Sequence, residues 1–223
     1  MNKKLMLIKD KKKLAVLDID RKRAEMEFGG ELTNIVDFRL FGDEDNKIVS
    51  IADKGDILLS ILNYDLKKVI SKARHKIKLD SDRRELLLSV SACDQGRYIV
   101  VTTIEFSTFK SSRMIILEVK GRSLVKLATL DERDMKIDFK YAFEFWRSLG
   151  NHKLWVGLSS KRGFVHLYDF ETESGEFREL QEKRIRHQED LSYAVERFGD
   201  KLYYIGRKSF LKVISLTQSS GKH

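Results

Sequence analysis

The residue types that most often carry metal or nucleophilic chemistry are sparse in this 223-residue chain. No two histidines lie two or four residues apart, the spacing that places two metal ligands on one face of a strand or helix. The histidines are His75, His152, His166, His187 and His223. Cys93 is the only cysteine, so the chain contains neither a disulfide framework nor a thiolate metal cluster. We expect no metal site, no cofactor and a reducing compartment.

Residues 14–20 place two aspartates at the end of an apolar run, Leu14-Ala15-Val16-Leu17-Asp18-Ile19-Asp20. The segment resembles the first motif of haloacid-dehalogenase-type phosphatases, in which one aspartate is a nucleophile and the other a general acid. Arg21 follows where that family prefers Gly or Thr, and the family's alternating strands and helices are absent from the pattern. We therefore interpret Asp18 and Asp20 as a strand end and turn.

Other local signatures of catalysis are also missing. The sequence has no Gly-x-Ser-x-Gly nucleophile elbow and no glycine-rich phosphate loop. A Ser-His-Asp triad assembles across a fold and leaves no local pattern, so a hydrolase with its site at the mouth of a central channel is the third hypothesis. The first expectation is a protein that is not an enzyme and has no catalytic residues.

The elements that would position any site follow a fivefold repeat of two apolar runs joined by a turn. Each copy opens on a basic residue and ends on an apolar-polar-apolar triplet. The openings are Lys4-Leu5, Lys47-Ile48, Arg97-Tyr98, Lys153-Leu154 and Lys201-Leu202; the endings are Leu17-Asp18-Ile19, Leu62-Asn63-Tyr64, Leu117-Glu118-Val119, Tyr168-Asp169-Phe170 and Ile214-Ser215-Leu216. The openings lie 43 to 56 residues apart, within the range of propeller blades.

Further alternating runs flank each pair. Phe139, Tyr141, Phe143 and Phe145 occupy alternate positions before the fourth opening, and a run such as 124–127 follows an ending. A period of two is typical of a strand with one buried face, which favours core packing of these aromatics over base stacking. The predicted unit is a four-stranded meander with strands a, b, c and d.

Repeated four-stranded meanders resemble the WD40-like β-propellers. Tyr168-Asp169 stands where that family's Trp-Asp ends strand c, and Leu17-Asp18 is a fainter copy, while the family's Gly-His dipeptide is missing from every repeat. The resemblance spans nearly the whole chain and implies a propeller-like array with a non-catalytic scaffold function. Membership in another propeller family stays open.

The repeats divide a single predicted β-propeller-like domain, residues 1–223, into about five blades. Their approximate bounds are 1–30, 31–79, 80–131, 132–187 and 188–217. The first blade lacks strand a and the last lacks strand d, so we expect an open or truncated arc whose edges pair with another chain or a missing segment.

Two segments are ambiguous between helix and strand. Residues 66–79 place Leu66, Val69, Ile70 and Ala73 at helical spacing, but alternation of lysines with Val69, Ile70 and Ile77 favours an exposed outer strand. Residues 180–189 are mostly charged, and we interpret them as a strand end and loop.

The basic residues are concentrated in the b–c turns. They are Lys9, Lys11, Lys12 and Lys13 in the first repeat, Lys54 in the second, Arg113 in the third, Lys161 and Arg162 in the fourth, and Arg207 and Lys208 in the fifth. The a–b turns are net acidic, chiefly through Asp43, Glu44 and Asp45. Since b–c and d–a connections emerge together, we predict one basic, partner-binding face.

The bulk composition is compatible with this hypothesis. The formal net charge is +9, which favours acidic partners. No secretory signal or membrane-spanning stretch is apparent, so a cytoplasmic or nuclear location is expected. The leading hypothesis is a scaffold that binds an acidic protein partner; the alternative is a polyanion-binding module for RNA or acidic phospholipid.

Overall fold

A computed structural model describes much of the chain. The described residues are 4–9, 13–18, 23–28, 34–41, 47–63, 65–66, 68–82, 84–93, 96–108, 110–131, 139–148, 153–160, 164–179, 185–186, 192–198, 201–206 and 211–215. Side chains are described chiefly within 34–131 and 168–178. Strands and turns dominate these residues, and the predicted β structure is confirmed.

The strands follow one another in short antiparallel meanders. In chain order they are β1 (Lys4–Lys9), β2 (Lys13–Asp18), β3 (Arg23–Phe28), β4 (Ile35–Phe41), β5 (Lys47–Ala52), β6 (Asp56–Asn63), β7 (Lys68–Lys76), β8 (Glu85–Cys93), β9 (Tyr98–Glu105), β10 (Lys110–Lys120), β11 (Ser123–Asp131), β12 (Phe139–Ser148), β13 (Lys153–Ser160), β14 (Phe164–Glu171), β15 (Phe177–Glu179), β16 (Ile185–Arg186), β17 (Ser192–Phe198), β18 (Lys201–Gly206) and β19 (Leu211–Ser215).

These strands form five sheets in sequence order. The first is β1-β2-β3, the second β4-β5-β6-β7, the third β8-β9-β10-β11, the fourth β12-β13-β14-β15 with β16 also on β14, and the fifth β17-β18-β19. Residues 68–76 are a strand, so the strand interpretation of the ambiguous 66–79 segment is confirmed. Within 180–189 the structure describes Ile185–Arg186, which is also extended.

Contacts between Cα atoms group the chain into two compact units. The first comprises Met1–Ser107 and Met114–Thr129, and the second Thr108–Arg113 and Leu130–His223. In the second unit, Tyr168 and Phe170 of β14 are buried. The Phe177 ring of β15 lies 4.5 Å from that of Phe170 and 6.3 Å from that of Tyr168, which ties these two strands together through aromatic contact.

In the first unit, the second and third sheets share one hydrophobic core. We call this cluster the shared core; it comprises Val49, Ile51, Ile57, Leu59, Ala73, Ile77, Leu87, Val90, Ile99, Val101, Ile115, Leu117 and Leu124. Residues from both sheets are needed to exclude water from it, since each sheet contributes one apolar face. Burying this surface is the main driving force that holds the two sheets together.

The opposite face of the second sheet has its own cluster. Ile35, Ile48, Leu58, Leu62 and Val69 are buried there, with Phe38 and Leu40 packed against them. The neighbours Ile48 and Val49 in β5 belong to different clusters, as successive side chains in a strand must. Both faces of this sheet are therefore covered by apolar contacts, which explains why β5 and β6 are almost continuously hydrophobic.

A register shift recurs in the first strand of the second, third, fourth and fifth sheets. It falls between Ile35 and Asp37 in β4, and at comparable positions in the others: Leu87 and Ser89 in β8, Phe139 and Phe143 in β12, and Ser192 and Ala194 in β17. A bulge of this kind bends the strand and re-aims its side chains. The repeat thus extends to a backbone irregularity that the sequence pattern did not reveal.

Candidate functional site

The predicted basic b–c residues fall into three groups in the structure. Lys54 is exposed in the turn between β5 and β6, and Arg113 is half-buried in β10. Lys9 ends β1 and pairs in register with Lys13, which begins β2. Lys11, Lys12, Lys161, Arg162, Arg207 and Lys208 lie outside the described residues. The basic b–c face therefore stays a prediction.

The turn that holds Lys54 has a demanding backbone. Gly55 has φ +87°, and its amide donates to the Ala52 carbonyl at 3.1 Å while its own carbonyl accepts from Ile77 N–H at 2.8 Å. A Cβ at this position would collide with the Ile77 carbonyl oxygen. Nearby, Arg74 bonds Asp56 at 2.9 Å. This b–c turn is held by local hydrogen bonds, and Asp53, Lys54 and Asp56 give it a net charge of −1.

A second candidate site is formed by the second and third sheets together. It lies at the end of the second sheet opposite the Lys54 turn. Its cavity volume is about 470 Å³, and it is lined by Phe41, Lys47, Leu59, Ser60, Ile61, Lys72, Gly96, Arg97, Val119, Gly121 and Arg122. Among these lining residues four are cationic and none is acidic. We call this site the basic groove.

Strand register explains how the second sheet supplies its part of the basic groove. Lys47 begins β5, and it pairs with Phe41 at the end of β4 and with Ile61 near the end of β6. Three neighbouring strands therefore place a cation beside two apolar side chains at one sheet end. Residues 42–46, which include Asp43, Glu44 and Asp45, lie outside the described residues.

A bulge in β7 brings Lys72 into the groove. Leu59 pairs with Ala73, but the next residue, Ser60, pairs with Ser71, which leaves Lys72 as the extra residue. The alternation of side chains between the two faces of the strand changes at this point. Val69 packs with Ile48 and its neighbours on one face, and Ala73, four residues later, packs in the shared core on the other. A regular strand would place both on the same face.

The third sheet supplies the other two cations from turns. The Arg97 carbonyl accepts a hydrogen bond from Val119 N–H at 2.8 Å, which sets the start of β9 against the end of β10. Arg122 lies in the β10–β11 turn next to Gly121, which has φ +61°. Both arginines are exposed.

One carboxylate already bridges cations at the edge of the groove. Glu118 lies 3.4 Å from Arg97 and 3.1 Å from Lys120, and its side chain is 13% exposed. The Arg97 guanidinium also lies 5.1 Å from the Tyr98 ring centroid. For Lys47, Lys72 and Arg122 no ion pair is found within the part of the chain that the structure describes. Among the described residues that line the groove or pair with a lining cation, the cations therefore outnumber the carboxylates.

Phe41 and Gly96 join the two sheets at the base of this site. Gly96 has φ +86°, and a Cβ there would overlap the Phe41 ring carbons. Only glycine therefore accommodates both the backbone conformation and the ring. This close approach seats an aromatic residue of the second sheet directly on the turn that precedes Arg97.

A second link between the sheets is a buried carboxylate. Asp37 Oδ2 accepts from the amide of Val90 in β8 at 2.9 Å. Burial raises the pKa of Asp37 above its ordinary value near 3.8, although the bond from Val90, the charge of Arg39 and the amide of Phe38 act in the opposite direction. β8 is the terminal strand of its sheet, and Asp37 supplies an acceptor for one of its backbone amides from the neighbouring sheet.

The sequence contained a signal for the basic groove that charge sorting by turn did not use. Lys47 and Arg97 are the opening residues of the second and third repeats. Adding the charges of the turns alone leaves them out, because they stand where strands begin. The a–b end was therefore predicted to be net acidic. Lys72 and Arg122 line the same groove as Lys47 and Arg97 because of the β7 bulge and the packing of the two sheets.

Comparison with known proteins leaves the chain without an assigned family. No protein-family model matches it, and no curated protein matches it. Among the described residues no group of three or more His, Cys, Asp or Glu is placed to hold a metal ion. The same residues contain no helix of the length and apolar character needed to cross a membrane.

Proposed function

We propose that this protein is a non-catalytic, propeller-like β scaffold, similar to WD40 proteins, that binds an acidic region of a partner protein. The observation that carries the proposal is the basic groove, where four cations from two sheets surround apolar side chains. A concave site with apolar walls and a few convergent charges is a typical binding site. Its charge favours an acidic ligand.

Sheet order and packing support the propeller-like part of the proposal. Antiparallel meanders succeed one another along the chain, and the second and third pack face to face through the shared core. Adjacent blades of a propeller bury their faces in this way. The first strands of these two sheets, β4 and β8, also contact each other and are bonded through Asp37.

A polyanion-binding module is the second candidate because β7 carries several exposed cations. They are Lys68, Lys72, Arg74 and Lys76, with Lys78 just beyond the strand. A cluster of cations attracts the phosphates of a nucleic acid. Arg74 is already paired with Asp56, however, and lysines also protect a sheet edge from unwanted pairing. The apolar wall of the groove favours a protein ligand.

Binding of labelled poly-L-glutamate to the full chain, followed by fluorescence anisotropy at several salt concentrations, tests the proposal. We expect binding that Arg122→Glu weakens by about threefold or more, because the change replaces attraction with repulsion at an exposed position of the groove. Lys126→Glu, which alters an exposed residue of β11 outside the groove, is the matched control and should retain binding.

Two results would contradict this proposal. Equal affinity of the wild type and Arg122→Glu, with loss of binding in Lys54→Glu, would move the site to the predicted b–c face. Tight, steeply salt-dependent binding of labelled single-stranded poly-uridylate, with no binding of poly-glutamate, would replace the protein partner with a nucleic acid.

A further inference from the structure

The walls of the basic groove differ sharply in chemistry from its rim. Phe41, Leu59, Ile61 and Val119 contribute apolar surface, while the cations project from strand openings, a bulge and a turn. A ligand that neutralised the cations alone would leave the apolar walls in contact with water. A ligand with one apolar side chain between acidic groups would satisfy both parts.

The size of the groove restricts the occupant further. About 470 Å³ lies within the ~300–1,000 Å³ range of ordinary ligand pockets. A folded domain does not enter a space of this size, but a short extended segment does. The concave shape and the supply of residues from two packed sheets favour insertion of a side chain over contact with a flat surface.

The structure also contains an internal example of the chemistry at the rim. The Glu118 carboxylate is held between Arg97 and Lys120 at 3.4 and 3.1 Å. One cation that lines the groove, Arg97, thus already pairs with a carboxylate in the geometry that the fold imposes.

We infer that the basic groove binds a short partner segment in which one large apolar side chain is flanked by carboxylates. The apolar side chain lies against Phe41, Ile61 and Val119, and the carboxylates pair with Lys47, Lys72 and Arg122. This inference rests on the proposed function, since it names the kind of acidic segment that the same site recognises. The cations supply the attraction and the apolar contact supplies the selectivity.

Two synthetic peptides test the inference with the full chain, by anisotropy or calorimetry. One is acetyl-Glu-Glu-Phe-Glu-Glu-amide, and the other has Ala in place of Phe at equal charge. We expect the Phe peptide to bind about tenfold or more tightly, because it buries an aromatic ring that the Ala peptide lacks. Arg122→Glu should weaken both peptides.

A pair of variants separates the apolar contact from general effects on the sheet. Ile61→Thr makes a groove wall polar and should reduce the preference for Phe over Ala while retaining the weaker binding of the Ala peptide. Ile70→Thr is the matched control, since Ile70 pairs with Ile61 in register but does not line the groove. It should leave the preference unchanged. Thermal unfolding of both variants checks that each is folded.

The outcomes distinguish this inference from the proposed function. If the Phe and Ala peptides bind equally and Arg122→Glu weakens both, the inference is wrong but the acidic-ligand scaffold stands. Equal loss of the Phe preference in Ile61→Thr and Ile70→Thr also overturns the inference. If neither peptide nor poly-glutamate binds, both proposals fail.

Discussion

At the scale of single residues, the site depends on a few positions whose backbone or burial tolerates little change. Gly96 combines a positive φ with contact against the Phe41 ring, and Asp37 places a partly buried carboxylate against the Val90 amide of β8. The four cations of the groove are exposed. Substitutions at Gly96 and Asp37 should therefore change stability, whereas substitutions of the groove cations should change binding.

Gly96→Ala should lower the free energy of unfolding by more than about 1 kcal/mol, since Ala must adopt a left-handed conformation and displace the Phe41 ring. Gly121→Ala is a matched comparison: Gly121 also has positive φ, but a Cβ there would meet nothing within 4 Å. Urea denaturation should show the larger loss for Gly96→Ala. Equal losses would show that ring contact is unimportant.

The stability of Asp37→Asn relative to the wild type should increase as pH rises. The native pKa of Asp37 is raised by burial, so the folded state holds this proton more tightly than the unfolded chain. Between the unfolded value near 3.8 and the raised native pKa, ionisation lowers the free energy of unfolding as pH increases, and that cost remains at higher pH. Asp37→Asn removes this cost because an amide side chain does not ionise.

Chemical denaturation of the wild type and Asp37→Asn at pH 4 and pH 7 measures this difference. Asp37→Ala is the companion variant, because it also removes the acceptor for the Val90 amide and should cost an additional ~1–3 kcal/mol. A stability difference between the wild type and Asp37→Asn that is the same at both pH values would contradict the assignment.

At the scale of elements, β7 is a terminal strand of its sheet that also contributes Lys72 to the lining of the basic groove. It is the last strand of the second sheet, and exposed basic side chains occupy much of its length. Its bulge places Val69 and Ala73 in different clusters and leaves Lys72 beside the groove. The strand was predictable from alternation, but the bulge was not, because β-branched and basic residues also fit a regular edge strand.

Val69→Ala should destabilise the protein by about 2 kcal/mol, whereas Ile70→Ala should change stability by less than about 0.5 kcal/mol. The reason is burial: Val69 is 7% exposed in the cluster that covers one face of the sheet, and Ile70 is 38% exposed. Denaturant midpoints of the two variants check the direction of β7. A larger effect at Ile70 would mean that the strand is rotated.

At the scale of the whole molecule, the shared core makes two sheets energetically dependent on each other. Residues from both contribute to one buried cluster, so neither covers its apolar face alone. The basic groove also draws its cations from both sheets. Separation of the sheets would dismantle the site.

Ile57→Ala in the second sheet and Ile115→Ala in the third should each cost about 2–5 kcal/mol, because both side chains are fully buried. Each variant should increase hydrogen exchange in both sheets, as measured by mass spectrometry of peptides from residues 47–62 and 98–118. If Ile115→Ala leaves exchange in the second sheet unchanged, the two sheets are independent units.

The sequence by itself determined the β class, the order of the meanders and the strands of the ambiguous segment 66–79, because alternation and short apolar runs are local properties. It also marked Lys47 and Arg97 as repeated basic openings. Only the tertiary structure decided that Arg122 and Lys72 join them, that Phe41 lies on Gly96, and that Asp37 reaches the Val90 amide. These contacts connect residues far apart in the chain, and they depend on bulges and sheet packing that no local pattern encodes.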